Sequence, residues 1–133
     1  REAATMCVGF ISALRADDDL YWHGADAVTG EHSCCKWGRS NGWMAMAKLE
    51  MKLGLDAVLS RRDLTQSQRE PLVAFASAIA ERIRLHALAL ARVQVASSGR
   101  WRQLLDADSG WLETSCTGMF LRVMSRGLSD GWL

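Results

Sequence analysis

The chain has 133 residues, 49% of them hydrophobic, with 16 Lys and Arg against 15 Asp and Glu for a net charge of +1. That length buries one core and not two, and a near-neutral balance whose longest basic run is Arg61-Arg62 leaves no electrostatic footprint for nucleic acid or an anionic membrane. No apolar stretch approaches the roughly 20 residues of a membrane-spanning helix, and the opening "REAATMC" has neither an initiator Met nor a signal-peptide core, so the chain reads as soluble and trimmed, with a cytoplasmic setting favoured over secretion.

The first expected element is an amphipathic helix over residues 2–15, with Ala3, Cys7, Phe10, Ile11 and Leu14 on one stripe before "RADDDL" ends the pattern. From Asp17 to Asn41 no period holds, and Gly24, Gly30, Gly38 and Gly42 punctuate a long polar connection of the kind that is functional or disordered. A second helix is expected from Asn41 as N-cap to Leu53, where Gly54 can close it; its "WMAMA" is apolar nearly all round and predicts a buried element.

The longest helix follows over residues 67–95, capped by Thr65 or Ser67, with Pro71 in its first turns and Leu72, Ala76, Ile79, Ile83, Leu90 and Val93 at helical spacing. After "GRWRQLLDADSGW", a second irregular connection, a fourth helix is expected over residues 115–126, its first amides served by Glu113, Thr114 and Ser115. No strand beyond a short hairpin in the loops is predicted, so the fold class is all-α.

The two halves repeat one plan. "LYWHG" at 20–24 answers "RWRQL" at 100–104, and "RSNGWMAM" at 39–46 answers "ETSCTGMF" at 113–120. Helical pairs repeated this way bury their apolar faces only by stacking into arrays or toroids, with the long loops gathered on one face. Cys7, Cys34, Cys35 and Cys116 form no CxxC pair, which argues against zinc and for buried free thiols. A bond between the adjacent Cys34 and Cys35 would be strained. No metal and no cofactor is implied.

Three ordered segments, "LYWHGAD", "KWGRSNGWMAMAKLEM" and "SGRWRQLLDADSGWLETSCTGMFLRVMSRGLSDGWL", resemble the unsaturated rhamnogalacturonyl hydrolases of glycoside hydrolase family 105 and the related unsaturated glucuronyl hydrolases of family 88. The resemblance implies an (α/α)6 toroid of six helical hairpins, of which residues 1–133 are one partial domain, a middle-to-C-terminal portion. It also implies a substrate: an oligosaccharide whose non-reducing end carries a 4,5-unsaturated uronic acid. The family reaction hydrates that double bond, one carbon taking a proton and the other water, and the resulting hemiketal collapses. The family's general acid/base is an aspartate upstream of the region matched here, so no residue of this chain is assigned a catalytic role.

The resemblance assigns substrate binding to His23, Trp37, Arg39, Trp43 and Trp101. Tryptophan rings offer apolar platforms to a flat unsaturated ring, and a guanidinium suits its carboxylate. Asp26, Asn41, Glu113, Thr114 and Ser115 are expected to brace the loops that carry these groups. Arg102 stands where the family commonly has a histidine, and "SCCK" replaces an aromatic near Trp37.

Plainer readings stand beside these. Trp43 can be core, Arg39 can form a structural bridge with Asp26 or Glu113, and His23 can be structural. His86, on the apolar face of the third helix, reads as a satisfied core histidine, and His32 has no matched role. Two function classes stay open: part of a uronyl hydrolase inactive alone, whose exposed helix faces self-associate, or a truncated sugar-binding or interaction module without catalysis.

Overall fold

The computed structural model describes residues 2–133, with side chains from residue 5 onward; Ala3, expected on the first stripe, lies outside the described side chains. Four helices carry the chain: α1 Glu2–Leu14, α2 Gly38–Leu59, α3 Gln66–Arg92 and α4 Thr114–Asp130. The two strands, β1 Trp101–Arg102 and β2 Leu112–Glu113, form one antiparallel hairpin with Trp101 opposite Glu113. The all-α expectation holds, and three of the four helices start within two residues of where the sequence put them.

Helix α3 ends at Arg92, three residues short of the expected end, and the boundaries of α2 and α4 moved for physical reasons. Helix α2 begins four residues earlier than expected, with Trp37 as N-cap and no side-chain cap, so Asn41 is not the cap but the fourth helical residue. It also runs through Gly54, because Leu53 and Leu55 pack on the core, and that burial outweighs the roughly 1 kcal/mol a glycine costs a helix interior. Helix α4 continues to Asp130, where Gly131 turns left-handed at φ 73 and Trp132 donates its N–H to the Gly127 carbonyl. Helix α3 keeps its expected start, since Thr65 and Gln68 exchange side-chain and backbone bonds in a capping box.

Helix α2 is the centre of the molecule, packed against α3 on one side and α4 on another. One core cluster joins Ile11, Tyr21, Leu49, Ile79, Ile83 and Val123; a second joins Leu20, Leu90, Trp101, Leu105, Cys116 and Phe120. The expected stripe of α3 is buried at Ala76, Ile79, Ile83 and Leu90. The expected stripe of α1 is not buried throughout: Ile11 is covered, but Phe10 is 58% exposed.

The internal repeat is real in shape: Tyr21 and Trp101 correspond in the loop register the sequence offered, and the helix register differs from the offered one by two residues, Asn41 matching Thr117. In the first half Tyr21 N donates to Asn41 Oδ1 at 2.8 Å, and Asn41 Nδ2 donates to the Trp37 carbonyl at 3.0 Å. In the second, Trp101 N donates to Thr117 Oγ1 at 3.2 Å, and Thr117 Oγ1 donates to the Glu113 carbonyl at 2.7 Å. In each half the fourth residue of a helix ties the N-cap carbonyl to the amide of a buried aromatic in the preceding loop.

Gly38 joins the halves. Its N–H reaches the Gln103 carbonyl at 2.6 Å, and a Cβ there would meet Arg102 O at 2.9 Å and Cys116 Sγ at 3.0 Å. Close approach, rather than the punctuation of a loop, is what requires glycine. Gly38→Ala should therefore destabilise the fold by about 1 to 3 kcal/mol, read as a drop in the urea midpoint; an unchanged midpoint would contradict this packing.

Candidate substrate-binding site

The loop from Arg15 to Trp37 is held at its base by a buried polar cluster. Asn41, fully buried, accepts from Tyr21 N and donates to the Tyr21 carbonyl at 2.9 Å, fixing that residue through both backbone groups. His86 Nε2 lies 3.1 Å from the same Asn41 oxygen, so Nε2 carries the proton and Nδ1 is left as acceptor. Lys48 Nζ supplies Nδ1 at 2.9 Å and also donates to Tyr21 Oη and the Arg82 carbonyl, both at 3.2 Å. Its ammonium stands 4.5 Å from the centre of the Tyr21 ring. His86 is thus the satisfied core histidine its position predicted.

Burial shifts this cluster's titrations. Desolvation, then the Lys48 charge, holds His86 well below its usual range, and desolvation pulls Lys48 down as well. Desolvation pushes Tyr21 up to about 12. A depressed base binds fewer protons folded than unfolded, so His86 contributes stability above the unfolded histidine pKa of about 6.5 and loses it as pH falls through that value. Stability should fall from pH 7 to pH 5 in the wild type and fall less in His86→Gln, as followed by urea melts at each pH. Parallel profiles for the two proteins would contradict the assignment.

Above this base, Ser33 Oγ accepts from His23 N at 3.0 Å, and Asp26 Oδ1 accepts from Val28 N at 2.7 Å and Thr29 N at 2.8 Å. Asp26 therefore braces its own turn, and those amides hold its carboxyl below the usual range. Of the two bridge partners open for Arg39, the structure has Glu113: Arg39 Nη1 bonds Glu113 Oε1, which also accepts from Ser115 Oγ at 2.5 Å. Glu113 is the N-cap of α4, yet its side chain makes no cap bond, so the helix-start role expected of Glu113 is replaced by the pairing with Arg39 and Ser115. Thr114 is exposed on the first turn.

Trp37 is the hub of the exposed groups. The Arg39 guanidinium lies 4.1 Å from the centre of its ring, and the His23 imidazole meets the ring edge-on with centroids 5.0 Å apart. Trp37 Nε1 and Glu113 Oε2 are buried and have no hydrogen-bond partner among the described residues. A cavity of about 350 Å³ between α1 and α2 is walled by Phe10, Ile11, Trp43 and Met44 and reached by His23 and Trp37.

The structure thus brings His23, Trp37 and Trp43 to one cavity, with Arg39 stacked on Trp37 but not among its walls. Trp43 is 63% exposed, so the core reading of that residue is overturned. Trp101 goes the other way. It is 1% exposed, packs edge-on against Phe120 and donates Nε1 to the Leu90 carbonyl at 2.7 Å, which leaves no ring face for a ligand.

Sequence reasoning missed Lys48. Its signal was present: Asn41, Gly42, Ala45, Lys48 and Leu49 all lie on the buried face of α2, and a lysine in that stripe demands acceptors. The cysteines depart from expectation too, since all four are free but only Cys116 is buried, its thiol pushed up to about 11 by desolvation and then by the Glu113 charge. Cys34 is exposed. Among the described residues no helix is long and apolar enough to cross a membrane, and no group of three or more His, Cys, Asp or Glu is placed to hold a metal.

Comparison with known proteins places this architecture. A solved family 105 glycoside hydrolase from C. acetobutylicum superposes with a TM-score of 0.73 at 22% identity, a likeness that identifies the fold. The superposition covers 98% of this chain and 36% of that one, so the chain spans little more than a third of that structure. Its all-α fold is that of part of the toroid. No curated protein matches the chain. The family model described as Glycosyl Hydrolase Family 88 matches residues 13–133. That span takes in the loop, the Trp37–Arg39 hub and all of α2, α3 and α4, and the chain belongs to Glycosyl Hydrolase Family 88.

Proposed function

We propose that the chain is one part of a glycosidase that releases a 4,5-unsaturated uronic acid from lyase-generated oligosaccharides, and that His23, Trp37, Arg39 and Trp43 contact the sugar. The observation that carries this reading is the stack of Arg39 on Trp37 with His23 against the same ring. A forked cation beside an aromatic plane matches a ligand that is both flat and carboxylated. Trp43, exposed at the cavity, is a second platform. Asn41, Glu113, Ser115 and Asp26 support the loops and contact no sugar.

The same reading has residues 1–133 as a partial domain that supplies binding groups without the proton donor. Hydration needs an acid within about 3 Å of the carbon that is protonated. Among the described residues the only carboxylate tied to the Arg39–Trp37 hub is Glu113, which is committed to Arg39 and Ser115. The exposed Met6, Val8 and Phe10 of α1 and Leu121 and Leu128 of α4 are faces that further hairpins would cover, so the chain by itself should self-associate.

Incubating the purified chain with an unsaturated uronyl disaccharide, following the double bond's ultraviolet absorbance and measuring particle mass in the same buffer, tests both points. The expected result is no turnover by particles larger than a monomer. Steady turnover by a monomer would contradict it and would make Glu113 and Asp26 the first residues to replace.

A further inference from the structure

Glu113 is an unusual neighbour for a cation offered to an anionic ligand. Its residue is 7% exposed, its backbone is locked opposite Trp101 in the β1–β2 hairpin, and one carboxylate oxygen takes both Arg39 Nη1 and Ser115 Oγ. The Arg39 side chain is 39% exposed, so the guanidinium is tied at one amino group and open to solvent elsewhere. A positive and a negative charge in contact leave this surface with no net charge. A ligand carboxylate arriving at Arg39 then meets a guanidinium whose field is largely cancelled but whose orientation over Trp37 is already set.

We propose that Glu113 is a specificity-determining residue: by pairing with Arg39 it fixes the guanidinium over Trp37 and lowers the preference of the surface for anionic over neutral sugars, so that recognition rests on the placement of ligand oxygens rather than on bare charge. The inference rests on the reading of Arg39 as a sugar contact. The second carboxylate oxygen supports a separation of the two effects. Oε2 has no hydrogen-bond partner among the described residues, so an amide in place of the carboxylate removes the charge while keeping the oxygen that holds Arg39 and Ser115. Truncation to alanine removes both.

Calorimetric titration of the 133-residue chain and of its Glu113→Gln, Glu113→Ala and Arg39→Ala variants, with far-ultraviolet circular dichroism as a fold control, tests this. The probes are an unsaturated uronyl disaccharide and the same disaccharide with its carboxyl group reduced to an alcohol. In Glu113→Gln the affinity ratio of acid to alcohol should rise about tenfold with the alcohol's own affinity nearly unchanged, as expected when one compensating charge a few ångströms away is removed. Glu113→Ala should bind both sugars more weakly, since the guanidinium loses its anchor. If Arg39→Ala weakens acid binding but Glu113→Gln leaves the ratio unchanged, or if Glu113→Gln and Glu113→Ala weaken both sugars alike, the proposal fails while the sugar-contact reading stands. Unchanged affinities in Arg39→Ala would instead overturn that reading.

Discussion

Asn41→Ala should destabilise the fold by about 3 kcal/mol, well above the typical point substitution. The side chain is fully buried and serves Tyr21 N, the Tyr21 and Trp37 carbonyls and His86 Nε2 at once. Alanine would leave Tyr21 N, the Tyr21 carbonyl and His86 Nε2 without that partner, while the Trp37 carbonyl keeps Ser40 Oγ at 2.8 Å and the backbone N–H of residue 41 at 3.1 Å, in a site where Lys48 and His86 are already linked in series. Thr117→Val in the second half removes a similar but smaller set, one acceptor for Trp101 N and one donor to the Glu113 carbonyl, and should destabilise by about 1 kcal/mol. Asn41→Asp should rescue little, because a carboxylate cannot donate to the two carbonyls. Equilibrium urea unfolding measures all three, and an Asn41→Ala change below that of Thr117→Val would contradict the proposed ranking.

The largest effect on binding is expected at Arg39. Its replacement by alanine in an enzyme containing this chain should weaken uronide binding by about 2 to 5 kcal/mol, the range for truncating one member of a hydrogen-bonded charge pair. Part of that loss comes from the Glu113 carboxylate, which without its cation repels the carboxylate of the ligand. Arg39→Lys should recover only a fraction, because an ammonium neither lies flat on the Trp37 ring nor offers two parallel donors. Calorimetry with the unsaturated disaccharide reads both variants, and binding of wild-type strength in either would show that the guanidinium does not meet the sugar.

Much of this architecture was legible because it rests on local rules. The apolar spacing of α3 and the Thr65 capping box are written in consecutive residues, and so is the pairing of two tryptophans with an arginine in "KWGRSNGW". What was not legible depends on which distant segment lies alongside. Trp101 and Trp37 look alike in sequence, each in an irregular connection with a basic residue before it, Arg100 and Lys36. Trp101 is core because the α3 carbonyl of Leu90 and the ring of Phe120 close over it, whereas Trp37 faces His23 and Arg39. The start of α2 was misplaced for a related reason, since Asn41 has the chemistry of a cap but bonds a loop twenty residues upstream. Glycine at position 38 reads as loop punctuation in the sequence, and only the nearness of Arg102 and Cys116 shows that it is needed for close packing.

The central claim, that this chain holds the sugar-binding groups of a uronyl hydrolase but not its acid, is tested most directly by the proton spectrum of an unsaturated uronyl disaccharide mixed with the chain. The vinyl proton of the sugar reports binding through its width and hydration through its intensity. The vinyl line should broaden with added protein, narrow again with the Arg39→Ala variant, and keep its full area over time. A vinyl line that stays sharp, or one whose area falls steadily, would contradict it.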